Sequence, residues 1–203
     1  MSAAATLPVN ADPVTLLALG DSLTQGYGLP ADEGFVPQLE AWLNANGAEV
    51  EVVNGGVSGD TTAGGASRIG WALEPRVDAV MVALGGNDLL RGLDPAETKA
   101  NLDKILAEIA ARDLPALLVG MSALGNYGAS YAEAFNAIYP DLAEARDVAY
   151  LDDFLAGLTA VGDRQKVLSD YMQPDAVHPN AAGVALIVEA IGPTVLDLVK
   201  APE

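Results

Sequence analysis

The chain has 203 residues, 51% of them hydrophobic, with 21 glycines and 12 prolines, which suits one α/β domain with a full core and excludes a disordered polymer. Its 28 acidic against 10 basic residues leave a net charge of −18, which repels phosphate backbones and anionic membranes and argues against nucleic-acid binding. The absence of cysteine excludes disulfides, thiol nucleophiles and iron–sulfur clusters, and the lone histidine, His178, excludes a multi-histidine metal site within one chain.

The N-terminal stretch MSAAATLPVNADP lacks the basic and apolar regions of a signal peptide. Residues 1–12 are expected as a flexible, frayed tail before a single domain over 13–203. No uninterrupted apolar run approaches the roughly 20 residues that span a bilayer, so a soluble chain without an integral membrane segment is expected.

Val14–Leu19 (VTLLAL) reads as a buried strand that stops abruptly at Gly20-Asp21-Ser22. A helix over about 33–46, a strand at Glu49–Val53, a helix over about 61–73 and a strand at Ala79–Leu84 follow. The clearest helix opens at Asp94, a capping residue, with Pro95 in the first helical position and Glu97 three residues past the cap. Leu102, Ile105, Leu106 and Ile109 then give it one apolar face. A strand at Ala116–Gly120, a helix over about 130–146, a strand at Val148–Leu151 and a helix over about 180–199 complete the chain.

This alternation predicts a parallel sheet covered on both faces. Ligands of such sheets bind beyond the carboxyl ends of the strands. Three glycine-containing turns, LGDS, NGGVSGD and LGGND, fall at that edge.

A serine there can be a nucleophile if a base takes its proton and a third group orients the base. His178, in MQPDAVHPN, is the one imidazole available. Asp175, three residues earlier, can fold back onto Nδ1 and leave Nε2 to serve Ser22. Acyl transfer also needs donors for an oxyanion. The N–H of Gly59, with no Cβ in the way, and the side-chain amide of Asn87 are candidates, although each taken singly reads as well as a tight turn and a helix cap. Asp21 is expected to accept backbone N–H groups and fix the position of Ser22. Ser58 and Ser67 compete with Ser22 but neither completes the Gly-x-Ser-x-Gly elbow, and each reads as a turn or helix-start hydroxyl. GGVSGDTTAGG lacks the Lys-Ser/Thr of a phosphate loop, and Asp60 would repel phosphate.

Four blocks, GDSLTQGYG, VNGGVSGDTT, LGGNDLLRG and DAVHPN, resemble in order those of the SGNH, or GDSL, hydrolases, and NYGASYAEAFNAIYP extends the likeness toward bacterial thioesterase I/lysophospholipase-type arylesterases. The resemblance implies a flavodoxin-like three-layer α/β/α sandwich with about five parallel strands. It implies Ser22 as nucleophile, Asp175 and His178 completing a triad, and an oxyanion hole from the N–H groups of Ser22 and Gly59 with the Asn87 amide. It implies no metal or organic cofactor, and a periplasmic or secreted location.

Leu89 and Leu90, Leu124 and Tyr127 are expected to wall the site, which points to short- to medium-chain acyl esters, aryl esters best, with thioesters or lysophospholipids as further substrates. The alternatives are a carbohydrate acetylesterase of the same superfamily and a non-catalytic flavodoxin-like binding module. The glycine pair Gly55-Gly56 is expected to loosen the turn before SGDT.

Overall fold

The structure, a computed structural model, describes residues 13–123, 125 and 127–200. The expected N-terminal tail, 1–12, lies outside them. Five parallel strands form one sheet: β1 (Val14–Gly20), β2 (Val50–Gly56), β3 (Ala79–Ala83), β4 (Ala116–Val119) and β5 (Ala149–Leu151), in the spatial order β2-β1-β3-β4-β5. β1 and β3 lie inside the sheet, and their apolar runs are buried almost without interruption, as a sheet covered on both faces requires.

One layer holds α2 (Phe35–Ala45) against α9 (Ala181–Lys200), with the short α7 (Ala156–Thr159) on α9. The other packs α5 (Pro95–Ala110) between α3 (Thr62–Ala72) and α6 (Ala129–Arg146). This is the expected three-layer α/β/α architecture. α5 starts as its sequence dictates: Asp94 Oδ1 accepts the Ala96 N–H at 2.9 Å, and Leu102, Ile105, Leu106 and Ile109 are buried. α9 is long and apolar enough to cross a membrane, with a mean hydropathy of 1.8. Here it is a core helix, with Ile187, Ile191 and Val195 fully buried.

Two differences from the sequence reading concern the sheet edge. β2 continues past Val53, and Gly55 and Gly56 pair in register with Leu19 and Gly20 of β1. A Cβ on Gly56 would collide with the backbone of Gln25, so this pair makes a tight strand end and not a loose turn. Short helices also follow β1 and β3: α1 (Ser22–Gln25) and α4 (Gly86–Leu90). Another, α8 (Arg164–Lys166), comes after α7 and runs into a π-helical stretch at Val167–Tyr171 before the last loop. Each is too short for apolar periodicity to reveal.

Candidate active site

Ser22 occupies the first position of α1, immediately beyond β1. Asp21 caps that turn: Oδ1 accepts the Leu23 N–H at 3.0 Å, and Oδ2 accepts an amide N–H of Asn87 at 3.1 Å. Asp21 is 2% exposed, and burial pushes its carboxyl above the ordinary range against the pull of these two donors and of nearby His178. It therefore fixes two turns at once, the one bearing Ser22 and the one bearing Asn87.

The last loop folds back on itself. Asp175 Oδ1 accepts the N–H groups of Val177 and His178, each at 3.0 Å. Oδ2 lies 2.6 Å from His178 Nδ1, and His178 Nε2 lies 2.9 Å from Ser22 Oγ. The backbone N–H of His178, then its ring, then the N–H of Val177 hold the Asp175 carboxyl down at about 2. An imidazole bonded on one side to a carboxylate carries its proton on Nδ1 and leaves Nε2 to accept from the hydroxyl. Gln173 anchors this loop, donating its backbone N–H to the His178 carbonyl at 2.8 Å and its side-chain N–H to the Tyr27 carbonyl at 2.7 Å. The Tyr27 ring lies on the His178 ring at 4.7 Å between centroids.

Gly59 sits in the turn after β2 with φ +79°. A Cβ there would meet only Arg91 at 3.8 Å, so the backbone angle and not steric room selects glycine. The N–H groups of Ser22 and Gly59 make no hydrogen bond among the described residues. Asn87 spends one of its two amide hydrogens on Asp21 and retains the other. Gly85, which precedes α4, has φ +119°, and a Cβ there would strike the hydroxyl of Tyr139. That hydroxyl donates to the Leu84 carbonyl at 3.0 Å, and burial pushes its pKa well up.

Two buried links hold the three turns in register. Asp88, 1% exposed, accepts the N–H of Thr62 at 2.9 Å and the hydroxyls of Thr62 and Thr98. Arg68 reaches from α3 to donate to the Gly20 carbonyl at 2.9 Å and to Asp60 at 2.8 Å. Asp60, read from sequence as repelling phosphate, is thus engaged in an ion pair. Replacing Arg68 by methionine strands a nearly buried carboxylate and a strand-end carbonyl. It is expected to cost about 3–5 kcal/mol of stability. Urea unfolding measures it, and a loss below about 1 kcal/mol would contradict the clamp.

Ser22, Gly59, Asn87, Leu89, Leu90 and His178 border one cavity of about 540 Å³. The competing serines have other partners: Ser58, which also borders the cavity, donates to Gln25 at 3.0 Å, and Ser67 donates to the Gly64 carbonyl inside α3. Leu124, an expected wall residue, lies outside the described residues. A second expected wall residue differs. Tyr127 donates to the Leu90 carbonyl at 2.9 Å and supports the α4 turn from outside, without itself lining the cavity. The sequence reading missed Met121, Leu155, Thr159, Met172 and Val177, which also line it. They come from the turns after β4 and β5, the end of α7 and the last loop, and share no local pattern.

A model of the GDSL-like lipase/acylhydrolase family matches residues 18–186. The chain is 36% identical over 185 residues to esterase TesA of Pseudomonas aeruginosa, covering 91% of this chain and 89% of that one. It is 39% identical over 170 residues to thioesterase 1/protease 1/lysophospholipase L1 of Escherichia coli, covering 82% and 76% respectively. The solved structure of AlinE4, a SGNH-hydrolase family esterase, aligns with a TM-score of 0.75 at 43% identity, over 96% of this chain and all 100% of that one.

Proposed function

Because this chain belongs to the GDSL-like lipase/acylhydrolase family and is a carboxylic ester hydrolase, we propose that Ser22 is its nucleophile and that Asp175 and His178 complete the triad. The observation that carries this reading is His178, bonded at once to Asp175 and to Ser22 Oγ. Ser22 Oγ attacks the ester carbonyl as His178 Nε2 takes its proton. The carbonyl oxygen becomes an oxyanion and is met by the N–H groups of Ser22 and Gly59 and the free amide hydrogen of Asn87. His178 returns the proton to the departing alcohol. Water, deprotonated by His178, then attacks the acyl-enzyme and releases the acid and Ser22.

The apolar lining, with Leu89, Leu90, Met121, Leu155 and Met172, suits acyl and aryl groups and offers little to a sugar. We assign short- to medium-chain acyl esters as substrates, aryl esters best, with thioesters and lysophospholipids within reach. A periplasmic or secreted location is part of the same proposal, and cell fractionation tests it. A panel of p-nitrophenyl esters against acetylated sugars tests the substrate class: aryl esters are expected to be preferred. A strong preference for acetylated sugars would move the enzyme to the carbohydrate acetylesterases.

The pH dependence has a definite sign. His178 must be neutral to act as base, so kcat/KM is expected to rise from acid pH and then level off. Asp175, held at about 2, stays ionised throughout that range and adds no second acid limb. Its folded value lies below the unfolded 3.8, so its stabilising effect is complete above 3.8 and is lost as pH falls toward about 2. A pH–rate profile flat from acid to alkali would contradict the base.

A further inference from the structure

Gly59 stands third in a β-turn, Val57–Asp60, which the Asp60 N–H closes onto the Val57 carbonyl at 3.0 Å. With φ +79° at that position the turn is of type II. The peptide between Ser58 and Gly59 lies at its centre and carries the N–H proposed to meet the oxyanion. Turning that peptide over gives a type I turn, the commonest kind, and sends the N–H to the opposite side. The donor therefore depends on what holds the turn.

Side chains from three elements hold it. Ser58 donates to Gln25 Oε1 of α1 at 3.0 Å, and Asp60 pairs with Arg68 of α3 at 2.8 Å. Gly59 itself is held by Arg91, whose Nη2 donates to its carbonyl at 2.7 Å. Arg91 ends α4, the turn that carries Asn87, and its backbone N–H donates to the Asn87 carbonyl at 3.1 Å. Its backbone is pinned on either side. The Leu90 carbonyl accepts the Tyr127 hydroxyl at 2.9 Å, and the Gly92 N–H closes onto the Leu89 carbonyl at 3.1 Å. One side chain thus spans the two turns that supply Gly59 and Asn87.

The fold gives this bond little to do. Arg91 is exposed, and α4 is already tied down by Asp88, so the contact adds little to stability. Arg91 also makes no ion pair among the described residues. Its charge stands beside the place where a negative oxygen develops.

Resting on the reading of Gly59 and Asn87 as oxyanion donors, we propose that Arg91 is a positioning residue for the oxyanion hole. It locks the Gly59 turn to the Asn87 turn at the spacing a tetrahedral oxyanion needs, and it lends that site a positive charge.

Arg91→Met is expected to lower kcat on p-nitrophenyl butanoate about tenfold or more with KM within about twofold, since about 1 Å of misplacement can cost about 10²-fold. Arg91→Lys, which keeps the charge and one donating group, is expected to recover most of that loss. Butylboronic acid gives an independent readout. Ser22 Oγ bonds to its boron as His178 takes the proton, and the tetrahedral adduct places a negative oxygen in the hole. Its inhibition constant is expected to rise in Arg91→Met by the same factor as kcat/KM falls, which loss of stability alone would not produce. Thermal melting checks that the variants fold, and Arg91→Gln takes the place of Arg91→Met if the latter does not. A kcat within about twofold of the parent, a loss confined to KM, an equal loss in Arg91→Lys or unchanged inhibition by the boronic acid overturns the inference. If Asn87→Ala is impaired and Arg91→Met is not, this inference alone falls; if neither is impaired, the oxyanion-hole reading falls with it.

Discussion

Ser22→Ala is expected to lower kcat by about 10⁶-fold, with melting behaviour unchanged. The size follows from the chemistry. Without Oγ no acyl-enzyme forms, and what remains is direct attack by water within the oxyanion hole, about 10³–10⁴-fold above the uncatalysed rate. The fold is spared because the hydroxyl makes a single side-chain bond, to His178, and the α1 turn is held by Asp21 instead. Removing His178 as well should add little, since the two act as one unit and their effects do not sum. Hydrolysis of p-nitrophenyl butanoate under single-turnover conditions is the measurement. A variant within about tenfold of the parent would remove Ser22 from the reaction.

Asn87→Ala is expected to cost about 10²–10³-fold in kcat with KM nearly unchanged, the pattern of a donor that acts on the developing oxyanion and not on the ground-state ester. Asn87 has a second partner, and its loss has a second consequence. Asp21 Oδ2 loses its bond at 3.1 Å from the Asn87 amide, and a carboxyl that burial already pushes up is pushed further. The α4 turn itself should stay in place, because Asp88 ties it to Thr62 and Thr98 and Tyr139 supports the strand end before it. A kcat loss below about threefold would take Asn87 out of the oxyanion hole.

The strands and long helices were legible because each announces itself locally. VTLLAL is an unbroken apolar run, and Asp94-Pro95 with the Leu102–Ile109 stripe is a complete helix signal. The Asp175-x-x-His178 pair was legible for a related reason: both residues lie in one loop, and a fold-back across three residues needs no tertiary information. Ser22 against His178 was an inference across 156 positions, made possible because the chain contains one imidazole.

What escaped the sequence is what packing alone creates. Arg68 looks like an ordinary polar position on a helix, yet it is buried and bonded to the carbonyl that ends β1. Nothing near Tyr27 says that its ring rests on His178, because Gln173 brings that loop into place. Leu155, Thr159 and Met172 lie in a weakly patterned stretch, and only the fold turns them into a wall of the cavity at Ser22. The Gly55-Gly56 pair misled because two glycines read as slack, whereas here they let one strand end lie flush against the next turn.

The central claim is that the hydroxyl of Ser22 alone is activated by His178. Reaction with a fluorophosphonate, followed by peptide mapping, reads this directly, because an unactivated serine hydroxyl does not couple. A single adduct on the peptide bearing Ser22, absent from the His178→Ala protein, is the expected result. An adduct on Ser58 or Ser67, or continued ester hydrolysis by protein fully blocked elsewhere, would contradict it.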